Sequence, residues 1–441
     1  MHQPIEPASS YADFPPIEFI PFGELLAISL SASTNDLTHG LHRYPAKYIP
    51  QVPRWAIREF SREGDIVLDP FSGSGTTVVE ALAEGRTGIG VDLDPLACLI
   101  AEAKSAALNP GKLRGYLPKL LAHAFRTPLA VPLPDIQNFG HWFSEDAWRD
   151  LQALRHNIDA VATSRAERRF LLAIFSSIIR AVSNADDQSQ KTYVSGTLRK
   201  EPPSVLPTFE KHFVKAIKGM EALNVRRSGC EGTIHNASAT DLPIKDESVD
   251  LVVTSPPYLD SVDYMYNLML EYFWLGTEIG VNSRKNFNAL RRKHIGAKSP
   301  LQVHEIPDGI RHLFNPEGIA AYRRETLGPY FAEMSKHFHE AHRVIKPGGR
   351  YVLVIGNSRT QNEMLRLHDA LIALASAAGL HIEHAFGYRI RRHYMKFPRK
   401  GRGGIILTDW VITLRKGEKI HGVPTQLPHV DLQLPPAAVA H

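Results

Sequence analysis

The stretch Ile66-Val67-Leu68-Asp69-Pro70-Phe71-Ser72-Gly73-Ser74-Gly75-Thr76-Thr77 constrains the fold of this chain more than any other. An apolar run ends in an aspartate, passes through a glycine-bearing turn and enters Val78-Val79-Glu80-Ala81-Leu82-Ala83, which starts a helix. A second run, Thr87-Gly88-Ile89-Gly90-Val91-Asp92, also ends in an acid, about twenty residues beyond the glycines. Strand, turn, helix and strand at these lengths form a βαβ unit, which needs parallel neighbours and helices on both faces of its sheet. Gly73 and Gly75 let backbone approach a ligand closely, the N–H groups at the helix start suit a carboxylate or other anion, and Asp92 is placed for a ribose diol. Position 78 is valine, so the G-x-G-x-x-G spacing of a NAD or FAD site is missing.

A second stretch carries different chemistry. Asp250 to Val253 reads as a short buried strand, ended by Thr254-Ser255-Pro256-Pro257-Tyr258. Two prolines donate no backbone hydrogen bond and hold Ser255 and Pro256 extended, leaving bare carbonyls and one projecting aromatic. A planar nucleobase amine needs acceptors for two amino protons and a π surface. The Ser255 hydroxyl and the Ser255 or Pro256 carbonyl can supply the first, and Tyr258 the second. Alone, the same residues describe a Pro-Pro turn closed by a surface tyrosine.

Together, Asp-Pro-Phe-Ser-Gly-Ser-Gly-Thr-Thr and Thr-Ser-Pro-Pro-Tyr resemble the cofactor and catalytic motifs of the amino-group DNA methyltransferases, which methylate cytosine N4 or adenine N6. The resemblance implies an α/β, Rossmann-like class I methyltransferase fold: a mostly parallel twisted sheet with helices on both faces, here with a largely helical insertion. It implies S-adenosylmethionine as cofactor, held by Asp69, Pro70, Phe71, Gly73, Gly75, Thr76, Asp92 and Thr254. It further implies direct transfer to a flipped base gripped by Ser255, Pro256, Pro257 and Tyr258, with DNA as partner, and it admits a cognate restriction endonuclease in the same system. The segment His39 to Pro50 is similar in position to the family's motif that closes over the cofactor's methionine end. There Lys47 is placed to pair with the carboxylate, or is simply a surface lysine. Asp241, in the turn after Gly232–Ala239, stands where the family approaches the adenine, or only caps a turn. Serine before Pro-Pro-Tyr favours cytosine N4; adenine N6 is the alternative. Family members with Ser-Pro-Pro-Tyr usually place the catalytic motif before the cofactor motif, and this chain reverses that order. Two further alternatives remain: a tRNA guanine-N2 methyltransferase, which shares the Gly-turn and a Pro-Pro-Tyr loop, and a non-catalytic DNA-binding module that keeps the fold.

The chain has 441 residues, enough for a large core, with ordinary hydrophobic (43%) and charged (22%) content. No apolar run reaches membrane-spanning length and no signal pattern opens the chain. Cys98 and Cys230 are the only cysteines, which argues against a disulfide scaffold or zinc cluster and suits a reducing cytoplasm; no metal site is expected. The expected division is an acidic arm over 1–38, free of Lys and Arg, a cofactor-binding core part over 39–108, a helical insertion over 109–228 serving as lid or DNA-contacting subdomain, a catalytic core part over 229–415, and a loose tail over 416–441. Within the insertion, 144–162 and 166–181 carry helical apolar spacing, and 183–193 reads as a polar loop. The catalytic part contains a basic stretch near 283–326 and a second between two late strands. There Arg389, Arg391, Arg392, Lys396, Arg399, Lys400 and Arg402 stand among aromatics, the best phosphate-contacting pattern in the chain.

Overall fold

The computed structural model describes residues 9–11, 13–28, 34–45, 48–122, 136, 138–187, 191–197, 199–259, 264–297, 304–314, 321–356, 358–359, 364–389 and 408–428. The chain opens with β1 (Ser9–Tyr11) and β2 (Leu25–Ile28), then α1 (Gln51–Phe60). The expected βαβ unit follows as β3 (Ile66–Asp69), α2 (Thr76–Ala83) and β4 (Thr87–Asp92). Next, α3 (Pro95–Ser105) is started by Asp94, whose carboxylate accepts from the N–H of Leu96 at 2.8 Å and of Ala97 at 3.1 Å.

The insertion contributes α4 (Pro110–Leu120), α5 (Phe139–Trp142), α6 (Glu145–Val161), α7 (Arg165–Ile179) and α8 (Val205–Arg226). Ser144 and Ser164 cap α6 and α7, their hydroxyls accepting from the N–H groups of Ala147 and Glu167, which fixes where both helices start. After β5 (Gly232–Asn236) and β6 (Val249–Thr254) come α9 (Tyr264–Asn267), α10 (Met269–Leu275), α11 (Arg284–Lys293), α12 (Asp308–Arg311) and α13 (Ala321–Val344). The chain finishes with β7 (Ile345–Gly356), the small β8 (Ser358–Arg359) and β9 (Met364–Leu365), α14 (Leu367–Ala377), β10 (Leu380–Arg389) and β11 (Thr408–Lys416).

Among the described residues, nine strands form one sheet in the order β1-β2-β10-β11-β7-β6-β3-β4-β5. All neighbours pair in parallel except β11, which is antiparallel to both β7 and β10. This is the Rossmann-like class I methyltransferase architecture that the motifs implied. From β3 the chain winds outward through β4 to β5, then returns to β6 on the other side of β3. The order therefore reverses between β3 and β6, where doubly wound sheets leave a crevice at their carboxyl ends. The register Val67↔Leu251 and Leu68↔Val252 brings Asp69 and Thr254 out side by side, so the Gly-turn and the Pro-Pro turn flank one crevice.

Both faces of the sheet are buried, as a parallel sheet requires. Val67, Leu251, Val253, Val352 and Val354 face α1 and the N-terminal segment, while Leu68, Val252, Leu353 and Ile355 face α13 and α14. The insertion helices pack with α3 and α10 in a single core that joins Leu99 and Ile100 to Phe170, Phe175 and Trp274.

Two segments differ from their sequence reading. The N-terminal segment is more than an arm, because β2 extends the sheet beside β10 and Phe14 packs edge-on against Tyr388 at 5.5 Å. The tail is docked as far as 428: Leu427 is buried, and its N–H donates to Asp369 at 3.2 Å. Helix α13 begins at Ala321 and carries Pro329 in its interior.

Trp274 meets Phe143, Trp148 and Phe175 at centroid distances of 5.9, 4.9 and 5.7 Å, so it staples α10 to the insertion. Trp274→Ala should cost about 3–5 kcal/mol. Limited proteolysis of that variant is expected to cut the insertion helices and the 276–283 loop together.

Candidate active site

The floor of the crevice is a buried carboxylate. Asp69, fully buried at the end of β3, accepts from the Thr254 hydroxyl at 2.5 Å, the Thr77 hydroxyl at 2.6 Å and the Phe71 N–H at 3.1 Å. Tyr48 hydrogen-bonds Thr77 from above. One side chain thereby joins the cofactor-type motif, the first turn of α2 and the catalytic-type motif. Burial pushes its pKa up to about 6 against the pull of those donors.

Above the floor, Gly73 and Gly75 adopt left-handed backbone with φ of 48° and 78°. A Cβ at Gly75 would lie 2.9 Å from the Ala101 Cβ, and one at Gly73 would meet the Tyr44 ring at 3.3 Å. Asp92 accepts from the Gly73 N–H at 2.7 Å and the Asp94 N–H at 2.8 Å, which fixes the turn. Burial and then the neighbouring Asp94 charge push Asp92 up to about 6.

Pro70, Phe71, Gly73, Thr76 and Asp92 line one cavity with Ser255 and Pro257, so residues of both motifs share a single space. Asp69 and Thr254 lie beneath it and bind one another. Gly75 caps α2 against Ala101, and Pro256 is buried under the loop. Asp241 is exposed in a turn, with its N–H on the Ser238 carbonyl at 3.1 Å; Ser238 and Ala239 line the cavity in its stead. The half-buried Tyr258 donates its hydroxyl to Asp409 at 3.1 Å. Arg389 is exposed at the end of β10. Lys47, Arg391, Arg392, Lys396, Arg399, Lys400 and Arg402 lie outside the described residues.

Several lining residues were not singled out from sequence. Tyr44, Pro45 and Tyr48 form one wall. Their segment is anchored by the fully buried Glu80, which binds His39 at 2.6 Å and Arg54 at 2.7 Å. Burial opposes ionisation of Glu80, but the His39 and Arg54 bonds leave its pKa below the ordinary value. Ala239 is held from behind by buried His337, whose Nδ1–H donates to the Ala239 carbonyl at 3.0 Å while Nε2 accepts from Tyr351 at 2.8 Å. Burial lowers that imidazole to about 4, so it stays neutral as these bonds require. Lys293, His294 and Ile295, at the end of basic helix α11, form a further wall with Glu333 of α13. Ser72 Oγ and His294 Nε2 are buried without a hydrogen-bond partner among the described residues, and both residues line the cavity. The basic composition of α11 was legible, but no local signal tells that its end reaches Asp92 and Ser255.

Unpartnered polar atoms, a glycine turn closed by a carboxylate, and a rigid acceptor-bearing loop together suit a nucleoside-type ligand beside a planar amine. Among the described residues, no group of three His, Cys, Asp or Glu is placed to hold a metal, and no helix is long and apolar enough to cross a membrane.

Comparison with known proteins agrees with that geometry. A DNA methylase family model, N6_N4_Mtase, matches residues 21–103. The Type II methyltransferase M.MvaI of Kocuria varians is 27% identical over 404 residues, covering 84% of this chain and 86% of that protein. The Type II methyltransferase M.BsoBI of Geobacillus stearothermophilus is 24% identical, covering 77% of each. A shorter match to the Type II methyltransferase M.MjaII of Methanocaldococcus jannaschii reaches 42% over 83 residues, which is 19% of this chain and 16% of that protein.

Removing a donor from the buried Asp69 should be costly. Thr254→Val is expected to lower stability by about 1–3 kcal/mol, read as the urea midpoint, and Thr254→Ser to keep most of it. Because the folded pKa of Asp69 lies above its ordinary 3.8, its contribution is complete below about pH 4 and lost as pH rises through about 6. The stability of wild type relative to Asp69→Asn should therefore fall by on the order of 3 kcal/mol between pH 4 and 7, compared by urea titration at each pH.

Proposed function

We propose that this chain is an amino-group DNA methyltransferase, similar to the Type II methyltransferases it matches, and that it moves a methyl group from S-adenosylmethionine to the exocyclic N4 amine of cytosine in DNA. The observation that carries the reading is the one cavity lined by Gly73 and Asp92 together with Ser255 and Pro257. The residues present fit the cofactor. Gly73 to Thr76 offer the backbone turn and helix start for its charged amino-acid end, with Lys47 as the proposed carboxylate partner. Asp92 offers a ribose acceptor, Ser238 and Ala239 an edge for the adenine, and Ser72 Oγ and His294 Nε2 two unused polar atoms. When bound, S-adenosylmethionine supplies an electrophilic methyl group on a sulfonium.

The chain's task is then alignment and activation of the amine. The Ser255 hydroxyl and the Ser255 and Pro256 carbonyls accept the amino protons and draw the nitrogen toward tetrahedral geometry, so that its lone pair leaves the ring system. No strong base is required, because the amine becomes acidic only once it is methylated. Pro256 and Pro257 keep the acceptors rigid, and Tyr258 stacks on the flipped base. Serine at 255 supports cytosine N4 through the family resemblance, and adenine N6 is the runner-up with the same acceptors.

DNA would reach the site along basic surface. The segment from Arg389 to Arg402 remains the proposed phosphate-contacting loop. Helix α11 adds Arg284, Lys285, Arg292 and Lys293, all exposed, and its end borders the cavity. A cognate restriction endonuclease is the second proposed partner, and a reducing cytoplasm suits the unpaired Cys98 and Cys230.

The test is to incubate the purified protein with tritiated S-adenosylmethionine and duplex DNA, single-stranded DNA or bulk tRNA, and then identify the labelled nucleoside. Label in N4-methylcytosine is expected. Label in N6-methyladenine reassigns the base, and label confined to tRNA guanine overturns the DNA reading. Ser255→Ala should lower kcat by about 10- to 100-fold and leave cofactor affinity unchanged in calorimetry.

A further inference from the structure

Asp409 lies on β11, within the run Thr408-Asp409-Trp410-Val411-Ile412. It is 8% exposed, and its two carboxylate oxygens serve two different tyrosines. Oδ1 accepts from the Tyr258 hydroxyl at 3.1 Å and Oδ2 from the Tyr388 hydroxyl at 3.1 Å. Tyr388 is the cross-strand partner of Asp409 on β10, is buried to 4% exposure and packs edge-on against Phe14. One end of the bridge is thus set in the sheet, and the other holds the aromatic ring of the Pro-Pro-Tyr loop.

A carboxylate in an apolar strand is unfavourable unless its hydrogen bonds are satisfied, and hydrophobic packing of β11 does not call for one. Stacking does not call for the Tyr258 hydroxyl either, since a phenylalanine ring presents the same face. What the pair adds is orientation. Pro256 and Pro257 fix the backbone from which Tyr258 projects, and Asp409 fixes the far end of its ring. The rotational freedom that a half-exposed tyrosine would lose on stacking is removed before any base arrives.

We propose that Asp409 is a positioning residue for base capture, holding the Tyr258 ring in the orientation that receives the flipped base. The inference rests on the reading above that Tyr258 stacks on that base. Asp409 touches neither base nor cofactor in this account; it acts through Tyr258.

Tyr258→Phe removes only the tethering hydroxyl, Asp409→Asn alters the acceptor without changing its size, and the double variant closes a thermodynamic cycle. Each is compared with wild type in kcat and KM for mixed-sequence duplex DNA, in calorimetric affinity for S-adenosylmethionine, and in Tm. Both single variants should lower kcat/KM for DNA by about 10-fold, mainly through KM, the double variant should be no worse than the weaker single one, and cofactor affinity should stay within about twofold. Multiplying losses, or a matching fall in cofactor affinity, would mark Asp409 as a purely structural residue and overturn the proposal. Wild-type kinetics in Tyr258→Phe would overturn it without touching the methyltransferase reading, and so would improved kinetics, which would mean the tether parks the ring away from the base. A wild-type protein that methylates no nucleic acid overturns both.

Discussion

Everything at the carboxyl edge of the sheet depends on how Asp69 is satisfied. A carboxylate sealed at the end of a parallel strand is expensive unless donors surround it, and here three converge from different elements: Thr254 of β6, Thr77 of α2 and the Phe71 N–H of the turn. Because β3 and β6 are neighbours only at the switch point, these bonds fix the relative height of two loops that lie 185 residues apart. Asp69 and Thr254 are then better described as the joint beneath the site than as ligand contacts.

Above that joint the walls come from segments with little in common. Glu80 draws His39 and Arg54 together, which places Tyr44 and Tyr48 over the Gly-turn. His337 holds Ala239 from below, and the end of α11 brings Lys293 and His294 to the opposite side. Gly296 runs on across the Pro-Pro-Tyr loop, since a Cβ there would lie 3.6 Å from the Tyr258 carbonyl oxygen. The insertion supports this arrangement at one remove: its helices share a core with α3 and α10, and Tyr272 of α10 hydrogen-bonds Asp94, two residues beyond Asp92.

The βαβ unit, the strand before Pro-Pro-Tyr and the two long insertion helices were legible, because local period and capping residues decide them. Gly73, Asp92, Ser255 and Pro257 were singled out from local patterns, and the structure brings all four to the wall of one cavity. Asp241 shows the limit. An acid in a turn after β5 was a reasonable adenine contact, yet the turn presents Ser238 and Ala239 inward and leaves Asp241 exposed. His294 and Asp409 carried no readable signal at all. Asp409 meets Tyr258, and His294 lies near Asp92, each across more than a hundred residues, and nothing in their local sequence encodes that meeting.

In the proposed reaction, one cavity holds the methyl donor and presents the acceptor amine to Ser255 and Pro256. A crystal structure with a non-reactive S-adenosylmethionine analogue and a DNA duplex containing the methylated site measures this directly. The expected result is a flipped base whose exocyclic nitrogen lies within hydrogen-bond distance of the Ser255 hydroxyl or the Ser255 or Pro256 carbonyl, with the analogue along Gly73 and Asp92. A base still stacked in the duplex, or an analogue bound away from that turn, would contradict it.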